Sequence, residues 1–175
     1  MTILSKIWRR SLYYFKRFRW LKASLGPGSF IELSSKISNP QNILLGTNSY
    51  VSNGVIITND FGIIKLGNRS HIAPSCVINC YKANLIIGNS VAIGPNCSII
   101  AHSNKYEPNK LITEVTISKD IFIEDNVFIG ANVVILPGVK IGNNSIVGAG
   151  AVVVENVSPN TIVVGIPAKP MKIRI

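Results

Sequence analysis

The residue best suited to acid–base chemistry in this chain is His102, one of only two histidines. It lies in the stretch IIAHSNKYEPNK, residues 99–110, which interrupts an otherwise regular repeat. Imidazole titrates near neutral pH and can therefore remove the proton of a substrate hydroxyl. His102 is accordingly the candidate general base. The alternative, a stray histidine on a surface loop, stays open at this point.

Three cysteines, Cys76, Cys80 and Cys97, are the other side chains suited to nucleophilic or metal chemistry. Their odd number, with no secretory signal ahead of them, predicts reduced thiols and a cytoplasmic chain. Cys76 and Cys97 hold equivalent places in successive repeats, 21 residues apart, which favours stacked core side chains over a catalytic thiol. Because there is no CxxC pair and two histidines are too few for a His-rich site, we predict no metal.

Positive charge is concentrated at the start of the chain. Seven basic residues precede the first acidic residue, Glu32: Lys6, Arg9, Arg10, Lys16, Arg17, Arg19 and Lys22. The rest of the chain has 11 basic and 8 acidic residues, so it carries only +3 of the formal +10. We therefore predict no nucleic-acid partner. The length of 175 residues and the excess of Ile and Val over aromatic residues indicate one β-rich domain with an appendage.

Residues 1–26 are predicted to form that appendage, a basic amphipathic helix that runs to about Ser24 and ends near Gly26-Pro27. Its apolar residues recur at spacings of three and four: Leu4, Ile7, Trp8, Leu12, Phe15, Phe18 and Leu21. The apolar run is too broken to span a bilayer or to serve as a signal sequence. Two interpretations stay open, since the helix can lie on an anionic membrane surface or cap the following domain. The two interpretations do not exclude each other.

Residues 27–175 carry a repeat of six. Aliphatic residues recur at every sixth position within each series, and these are Leu45, Val51, Ile57; Leu66, Ile72, Ile78; Ile87, Ile93, Ile99; and Ile117, Ile123, Ile129, Ile135, Ile141, Val147, Val153, with a fainter start at Ile31 and Ile37. The third residue after each is commonly Gly, Asn or Ser, which suits a corner with left-handed backbone angles. The sixth place, which His71 occupies, suggests the surface. A parallel β-helix with three short strands per coil satisfies this pattern.

The spacing of the series locates an insertion. Equivalent positions 45, 66 and 87 are 21 residues apart, so these coils carry three extra residues over the basic 18. Positions 87 and 123 are 36 apart, which leaves about one coil of sequence, roughly residues 100–116, outside the repeat. The pattern therefore predicts a loop extruded from one corner, and such insertions commonly line the binding face of a solenoid.

The segments IGPNCSIIAHS and FIEDNVFIGANVVILPGVKIGNNSIVGAGAVVVENVSPNTIVVGIPAKP resemble the hexapeptide-repeat acyltransferases. The likeness is to the branch of maltose, galactoside, xenobiotic and polysaccharide O-acetyltransferases, and it covers about residues 45–172. It implies a left-handed parallel β-helix that assembles as a homotrimer, with acetyl-CoA in a groove between neighbouring prisms. It also implies a histidine of the extruded loop as general base, while backbone N–H groups stabilise the oxyanion of the thioester carbonyl.

Matching the family pattern residue by residue identifies candidate residues for binding CoA. Ala131 and Ala149 match small residues that border the pantetheine arm. Val154 and Glu155 stand where the family usually has Thr-Lys, and a carboxylate there should weaken contact with a phosphate. Two further residues, Lys169 and Lys172, match basic residues near the nucleotide phosphates, and a solvated basic tail is their alternative interpretation.

The family position of the catalytic histidine falls on Asn104, with Tyr106 and Glu107 matching the residues that follow it. Three explanations stay open: His102 supplies the base from two residues upstream, the site binds ligand without efficient catalysis, or Asn104 replaces a natural histidine to trap a complex. Residues two apart on an extended segment share a face, which permits the first. Asn cannot act as a base at neutral pH but can hold a hydroxyl by hydrogen bonds.

The leading functional hypothesis is therefore an acetyl-CoA-dependent O-acetyltransferase. Its acceptor would be a sugar hydroxyl of a bacterial surface polysaccharide or of a lipid-linked precursor. The alternatives are an N-acetyltransferase of an amino-sugar nucleotide and a trimer that only binds ligand. We expect the chain to be cytoplasmic, and contact of residues 1–25 with the inner face of the cell membrane stays open beside the capping role.

Overall fold

The structure is a computed structural model that describes residue 18 and residues 20–173. Over these residues the chain winds through three sheets, one strand per sheet in each coil. The first sheet consists of β1 (Ser24–Leu25), β4 (Ile43–Leu45), β7 (Ile64–Leu66), β10 (Leu85–Ile87), β15 (Ile121–Ile123) and β18 (Lys140–Ile141). The second consists of β2 (Phe30–Ile31), β5 (Tyr50–Val51), β8 (His71–Ile72), β11 (Ala92–Ile93), β16 (Phe128–Ile129), β19 (Ile146–Val147), β21 (Thr161–Val164) and β22 (Lys169–Ile173).

The third sheet consists of β3 (Lys36–Ile37), β6 (Ile56–Thr58), β9 (Val77–Asn79), β12 (Ser98–Ile100), β17 (Val134–Ile135) and β20 (Val152–Val153). A short 3-10 turn, Pro40–Asn42, follows β3. Neighbouring coils pair in parallel, for example Leu45 with Leu66 and Leu66 with Ile87. The predicted parallel β-helix is confirmed.

The core follows the repeat of six. From Leu45 to Val153, the recurring aliphatic side chains are buried at every position except Ile117. Side chains alternate between inside and outside along each strand, so that Ile43 and Leu45 are buried and Leu44 between them is exposed. Cys76 and Cys97 are fully buried in this core and unpaired as a disulfide, which confirms their predicted packing role. Ile117 was wrongly assigned to the repeat, because it belongs to a hairpin outside the prism.

The corners confirm the turn residues that the repeat indicated. Left-handed backbone angles occur at ten of the positions three residues after a recurring aliphatic residue where Gly, Asn or Ser stands: Asn48, Gly54, Ser75, Ser90, Asn96, Asn126, Asn132, Gly138, Asn144 and Gly150. Asn and Gly tolerate such angles better than other residues, and one of them stands at eight of these ten corners. At Gly130 a side chain is excluded for a second reason, since an added Cβ would lie 2.5 Å from the backbone nitrogen of Ala149 in the next coil.

The two ends of the prism differ from the repeat. The helix predicted for residues 1–26 lies mostly outside the described residues, and its last part is not helical, because Ser24 and Leu25 form β1 and pair with Leu44 and Leu45. At the other end, β22 folds back antiparallel on β21, so that the chain closes its own last coil. Within residue 18 and residues 20–173, no helix is long and apolar enough to cross a bilayer.

Candidate active site

One edge of the prism, between the third sheet and the first sheet of the next coil, collects the insertions. Residues 59–63 and 80–84 hold the extra residues of two coils, and residues 101–120 hold the extruded segment. The segment is fastened at its base by Asn84, whose backbone N–H and side-chain amide donate to the Asp120 carboxylate at 2.8 and 3.1 Å. The position of the hairpin is therefore set by the coil beneath it.

The extruded segment is a hairpin rather than an irregular loop. Strand β13 (His102–Asn104) pairs antiparallel with β14 (Thr116–Ser118), and His102 stands opposite Ser118. The backbone N–H of Lys119 donates to the Ala101 carbonyl at 2.9 Å, which closes the hairpin against the prism. His102 is thus held by paired strands at the root of the hairpin and not by the mobile end of a free loop.

His102 has two side-chain neighbours that define its orientation. Its Nδ1 lies 2.7 Å from Ser118 Oγ, and its ring centroid lies 4.8 Å from that of Tyr81 at an interplanar angle of 55°. When Nδ1–H donates to Ser118, the lone pair of Nε2 is free to accept a proton. The imidazole is half-buried, so that Nε2 can be reached by a substrate. This arrangement fits a general base.

Aromatic side chains line the edge below His102. Tyr81 contacts Phe61 edge to face at 5.5 Å between centroids, and Lys82 places its Nζ 5.5 Å from the Tyr81 centroid. Phe61 is 67% exposed. These residues and Ser118 were missed in the sequence, although Phe61, Tyr81 and Lys82 all fall in the extra residues of the 21-residue coils. The three extra residues per coil could have indicated them, because insertions at the same corner of stacked coils lie next to one another.

The other two catalytic candidates lie further along the hairpin. Asn104 is exposed on β13, two residues beyond His102, and its backbone pairs with Thr116. Glu107 forms ion pairs with Lys110 at 3.0 Å and Lys105 at 3.1 Å, and these hydrogen bonds hold the pKa of its carboxyl below the usual range. Glu107 therefore links Lys105 and Lys110 near the end of the hairpin. Among the described residues, none of its hydrogen bonds or ion pairs is to His102.

The small residues predicted on the cofactor side lie at another edge. Ala131 and Ala149 follow strands of the second sheet and precede strands of the third, in successive coils. The backbone N–H of Gly150 donates to the Ala131 carbonyl at 2.8 Å, so the two corners stack. Within one chain, this edge and the hairpin edge are different edges of the prism. One chain therefore does not bring Ala131 and Ala149 to His102.

The remaining cofactor candidates lie near the last coil. Val154 is 40% exposed, and Glu155 lines a cleft of about 470 Å³ together with Lys169 and Met171. Lys169 Nζ lies 3.5 Å from a Glu155 carboxylate oxygen. Glu155 therefore pairs with the lysine that, by the family pattern, would contact the nucleotide phosphates. Lys172 pairs through its backbone with Ile162 on β21.

Of the other titratable candidates, His71 lies apart from the hairpin and Cys80 is buried at the hairpin edge. His71 stacks on Tyr50 of the second sheet at 5.0 Å, and burial lowers its pKa. Burial, with a smaller contribution from the Asp120 charge, raises the pKa of the Cys80 thiol to about 12, which argues against a nucleophile. Among residue 18 and residues 20–173, no three His, Cys, Asp or Glu residues are grouped as a metal site would require. The absence of a metal cofactor stays a prediction.

Comparisons with known proteins agree with this architecture. Residues 120–154 match the family described as "Bacterial transferase hexapeptide (six repeats)". The galactoside O-acetyltransferase of Escherichia coli strain K12 is 30% identical over 150 residues, which are 86% of this chain and 63% of that protein. The chain therefore spans less than two thirds of the length of this relative.

Two solved structures share the fold. A hexapeptide-repeat acetyltransferase from Vibrio cholerae, complexed with acetyl coenzyme A, superposes with a TM-score of 0.64 at 27% identity, covering 94% of this chain and 77% of that one. An N-acyltransferase from Bacillus cereus, in complex with dTDP-4-amino-4,6-dideoxyglucose and coenzyme A, has a TM-score of 0.83 at 24% identity, covering 91% and 88%. The second likeness concerns the fold alone.

Proposed function

We propose that this chain is a hexapeptide-repeat transferase, namely an acetyl-CoA-dependent O-acetyltransferase that acts on a sugar hydroxyl, as its similarity to such proteins supports. The observation that carries the proposal is the imidazole of His102, held at the root of the extruded hairpin by Ser118 and Tyr81. The acceptor class follows the galactoside O-acetyltransferase relative. A surface polysaccharide or its lipid-linked precursor is the acceptor we favour, with the reaction on the cytoplasmic side of the cell membrane.

The proposed reaction needs one base and one oxyanion site. Nε2 of His102 removes the acceptor hydroxyl proton while the oxygen attacks the thioester carbonyl carbon, and a C–O bond forms. Backbone N–H groups at a coil corner stabilise the tetrahedral oxyanion. The C–S bond then breaks, and the departing thiolate takes the proton from the imidazolium. The products are an ester and free CoA.

We propose that the active unit is a homotrimer. The hairpin edge and the edge of Ala131 and Ala149 are separated within one chain. If a neighbouring subunit turns its Ala131 and Ala149 edge towards the hairpin of this chain, the two parts of the site come together between the subunits. The hairpin also leaves apolar side chains in water, since Tyr106, Leu111 and Ile112 are 76%, 68% and 52% exposed. Packing them on a neighbour would stabilise the assembly by removing apolar surface from water. Acetyl-CoA would then lie between two subunits.

The proposed cosubstrate has a defined set of candidate contacts. Ala131 and Ala149 are small enough for a pantetheine arm to approach the backbone of their corners. Lys169 supplies the positive charge for the nucleotide phosphates, although Glu155 competes for it. The test of the whole proposal is the release of CoA from acetyl-CoA in the presence of a panel of sugars. No release with any sugar, while acetyl-CoA binds, would favour the ligand-binding trimer instead.

Asn104 is the observation that favours that alternative. It occupies the place of the family base, is exposed, and cannot remove a proton at neutral pH. If the acceptor is aligned with Asn104 and not with His102, the site binds both substrates without efficient transfer. A gain of turnover by a factor of about a hundred or more in Asn104→His, the lower end of the usual contribution of a general base, would support this alternative.

Replacing Glu155 tests the cofactor side. We expect Glu155→Lys to lower the KM for acetyl-CoA by about two- to fivefold with little change in kcat. The substitution frees Lys169 from its ion pair and adds a second cation for the phosphates, and the effect is small because exposed charge pairs contribute little free energy. The matched control is Glu32→Lys, which makes the same charge change at the other end of the prism. Steady-state kinetics at two salt concentrations measures the effect. An equal change in both variants would show only the altered net charge.

Replacing Ser118 tests the orientation of His102. Losing a hydrogen bond worth about 0.5–1.5 kcal/mol should lower kcat in Ser118→Ala by about two- to tenfold. Ser118→Thr keeps a hydroxyl and should restore most of the rate. A structural role alone would lower the thermal midpoint and leave kcat of the folded enzyme intact. Ser118 is thus a positioning residue if kcat falls at unchanged stability.

A further inference from the structure

Three rings from successive coils form a ladder along the hairpin edge. Phe61, Tyr81 and His102 follow β6, β9 and β12, which are neighbours in the third sheet. The Tyr81 centroid lies 5.5 Å from that of Phe61 and 4.8 Å from that of His102. Phe61 is 67% exposed, whereas Tyr81 and His102 are half-buried. A ligand that lies along this ring ladder would therefore contact an aromatic surface and the candidate base together.

The backbone of Tyr81 is strained. Its φ is 39°, in the left-handed region that bulky side chains disfavour. The other non-glycine residues with such angles in the described part of the chain are asparagines, serines and Arg69. The Tyr81 carbonyl accepts from the backbone N–H groups of Phe61 and Gly62 at 2.9 and 2.8 Å, which holds the corner in place. Strained backbone clusters at binding and catalytic sites, so the aromatic residue here indicates a role beyond the turn.

Lys82 adds a positive charge beside the ring ladder. It is exposed, and its Nζ lies 5.5 Å from the Tyr81 centroid. Among residue 18 and residues 20–173 it forms no ion pair, whereas the Asp120 carboxylate at the same edge accepts hydrogen bonds from Asn84. An ammonium group binds carboxylate and phosphate oxygens by strong, charge-assisted hydrogen bonds. The charge of Lys82 is thus available to an anionic group of a ligand.

We propose that Phe61, Tyr81 and Lys82 form the acceptor subsite and that the acceptor is an anionic sugar. The C–H groups on one face of its pyranose ring pack on the ring ladder, as apolar surfaces do in ligand sites with a few polar contacts. A carboxylate or phosphate substituent contacts Lys82, and the hydroxyl to be acetylated lies at Nε2 of His102. The role of His102 rests on the proposed function, whereas the binding of the sugar requires no turnover.

The affinity of the full chain for matched sugars tests the charge preference. Methyl glucoside, methyl glucuronide and glucose 1-phosphate, with their galacto counterparts, would be titrated by saturation-transfer NMR in the presence of CoA, which carries no acetyl group. We expect an anionic sugar to bind about fivefold more tightly than its neutral counterpart, with the difference lost in Lys82→Gln. Preference for the glucuronide identifies a carboxylate acceptor, and preference for the sugar phosphate identifies a phosphorylated one.

The matched control for the charge is Lys65→Gln, which removes an exposed lysine from the first sheet. This variant should keep the preference for the anionic sugar. Equal affinity of the parent chain for neutral and anionic sugars would overturn the proposal, as would an equal loss of preference in both lysine variants. Absence of binding by every sugar would overturn it as well.

Phe61→Ala and Tyr81→Asn test the ring ladder. Asn suits the left-handed angle at position 81, so the corner should keep its shape without the ring. Each variant should weaken the binding of neutral and anionic sugars alike by about three- to tenfold. The matched control, Phe122→Ala, removes an exposed ring from the first sheet and should bind sugars as the parent chain does. A lower thermal midpoint at unchanged sugar affinity would make the rings structural and overturn the proposal.

Failure of the subsite and failure of the proposed acetyl transfer give different results. Sugar binding with the expected pattern, but no CoA release from acetyl-CoA, would support the subsite and contradict the transfer. CoA release with a neutral sugar, at a KM for that sugar unaltered in Phe61→Ala and Tyr81→Asn, would support the transfer and overturn the subsite. Phe61→Ala is the cleaner of the two variants, because Phe61 lies two coils from the one that carries His102.

Discussion

His102→Ala is expected to lower the kcat for acetyl transfer by about 10²- to 10⁴-fold, the usual contribution of a positioned general base. The KM for acetyl-CoA should change little, because the proposed role of His102 is to remove the proton of the acceptor hydroxyl and not to hold the cosubstrate. CoA release with the preferred sugar measures both constants. The size of the effect follows from the chemistry, since a sugar hydroxyl is a poor nucleophile until its proton is removed.

Two matched variants make this result specific. His71→Ala removes the other histidine, which stacks on Tyr50 of the second sheet, and should retain nearly the parent rate. In His102→Ala with Asn104→His, a base returns two residues downstream on the same face of β13, so partial recovery would show that both positions reach the acceptor. An unchanged rate in His102→Ala alone would exclude His102 as the base.

Ile57→Ala is expected to lower the free energy of unfolding by about 2–5 kcal/mol, as for other large-to-small core substitutions. Ile57 is 2% exposed inside the prism, and its neighbour on the same strand, Ile56, is 43% exposed outside it. Ile56→Ala is therefore the matched control, and it should stay within about 0.5 kcal/mol of the parent chain.

Urea unfolding followed by circular dichroism measures the difference between the two variants. Sizing of both variants belongs with it, because a changed oligomeric state would alter the apparent stability. Equal losses would contradict the inside–outside assignment on which the fold depends. A loss confined to Ile57→Ala would support the same register in every stacked coil, since the coils share one core.

The repeat of six predicted the prism because it reflects a strong local constraint. A side chain such as Ile93 must point inwards once per strand, and a residue such as Asn96 must turn the corner after it. Ile117 fitted this spacing by coincidence, and spacing alone could not show that its strand pairs with β13 outside the prism. Hairpin pairing depends on contacts between residues far apart in sequence, which a periodic pattern does not reveal.

The candidate site was predictable in part for the same reason. The interruption of the repeat located His102, and its family position identified Asn104 as a departure. The contacts with Ser118 and Tyr81 were not predictable, because they depend on how the hairpin folds back and on which corner insertions stack. The ion pair of Glu155 with Lys169 likewise required the antiparallel return of β22, which does not follow the repeat.

The chemical bond formed in the product tests the central claim most directly. The parent chain, acetyl-CoA and a panel of neutral sugars, amino sugars and their nucleotides would be incubated together, and the acetylated product identified by mass spectrometry before and after mild alkali. We predict an alkali-labile ester on a sugar hydroxyl, formed by the parent chain and lost with His102→Ala. An alkali-stable amide formed only on an amino sugar, or ester formation that persists undiminished in His102→Ala, would contradict the account.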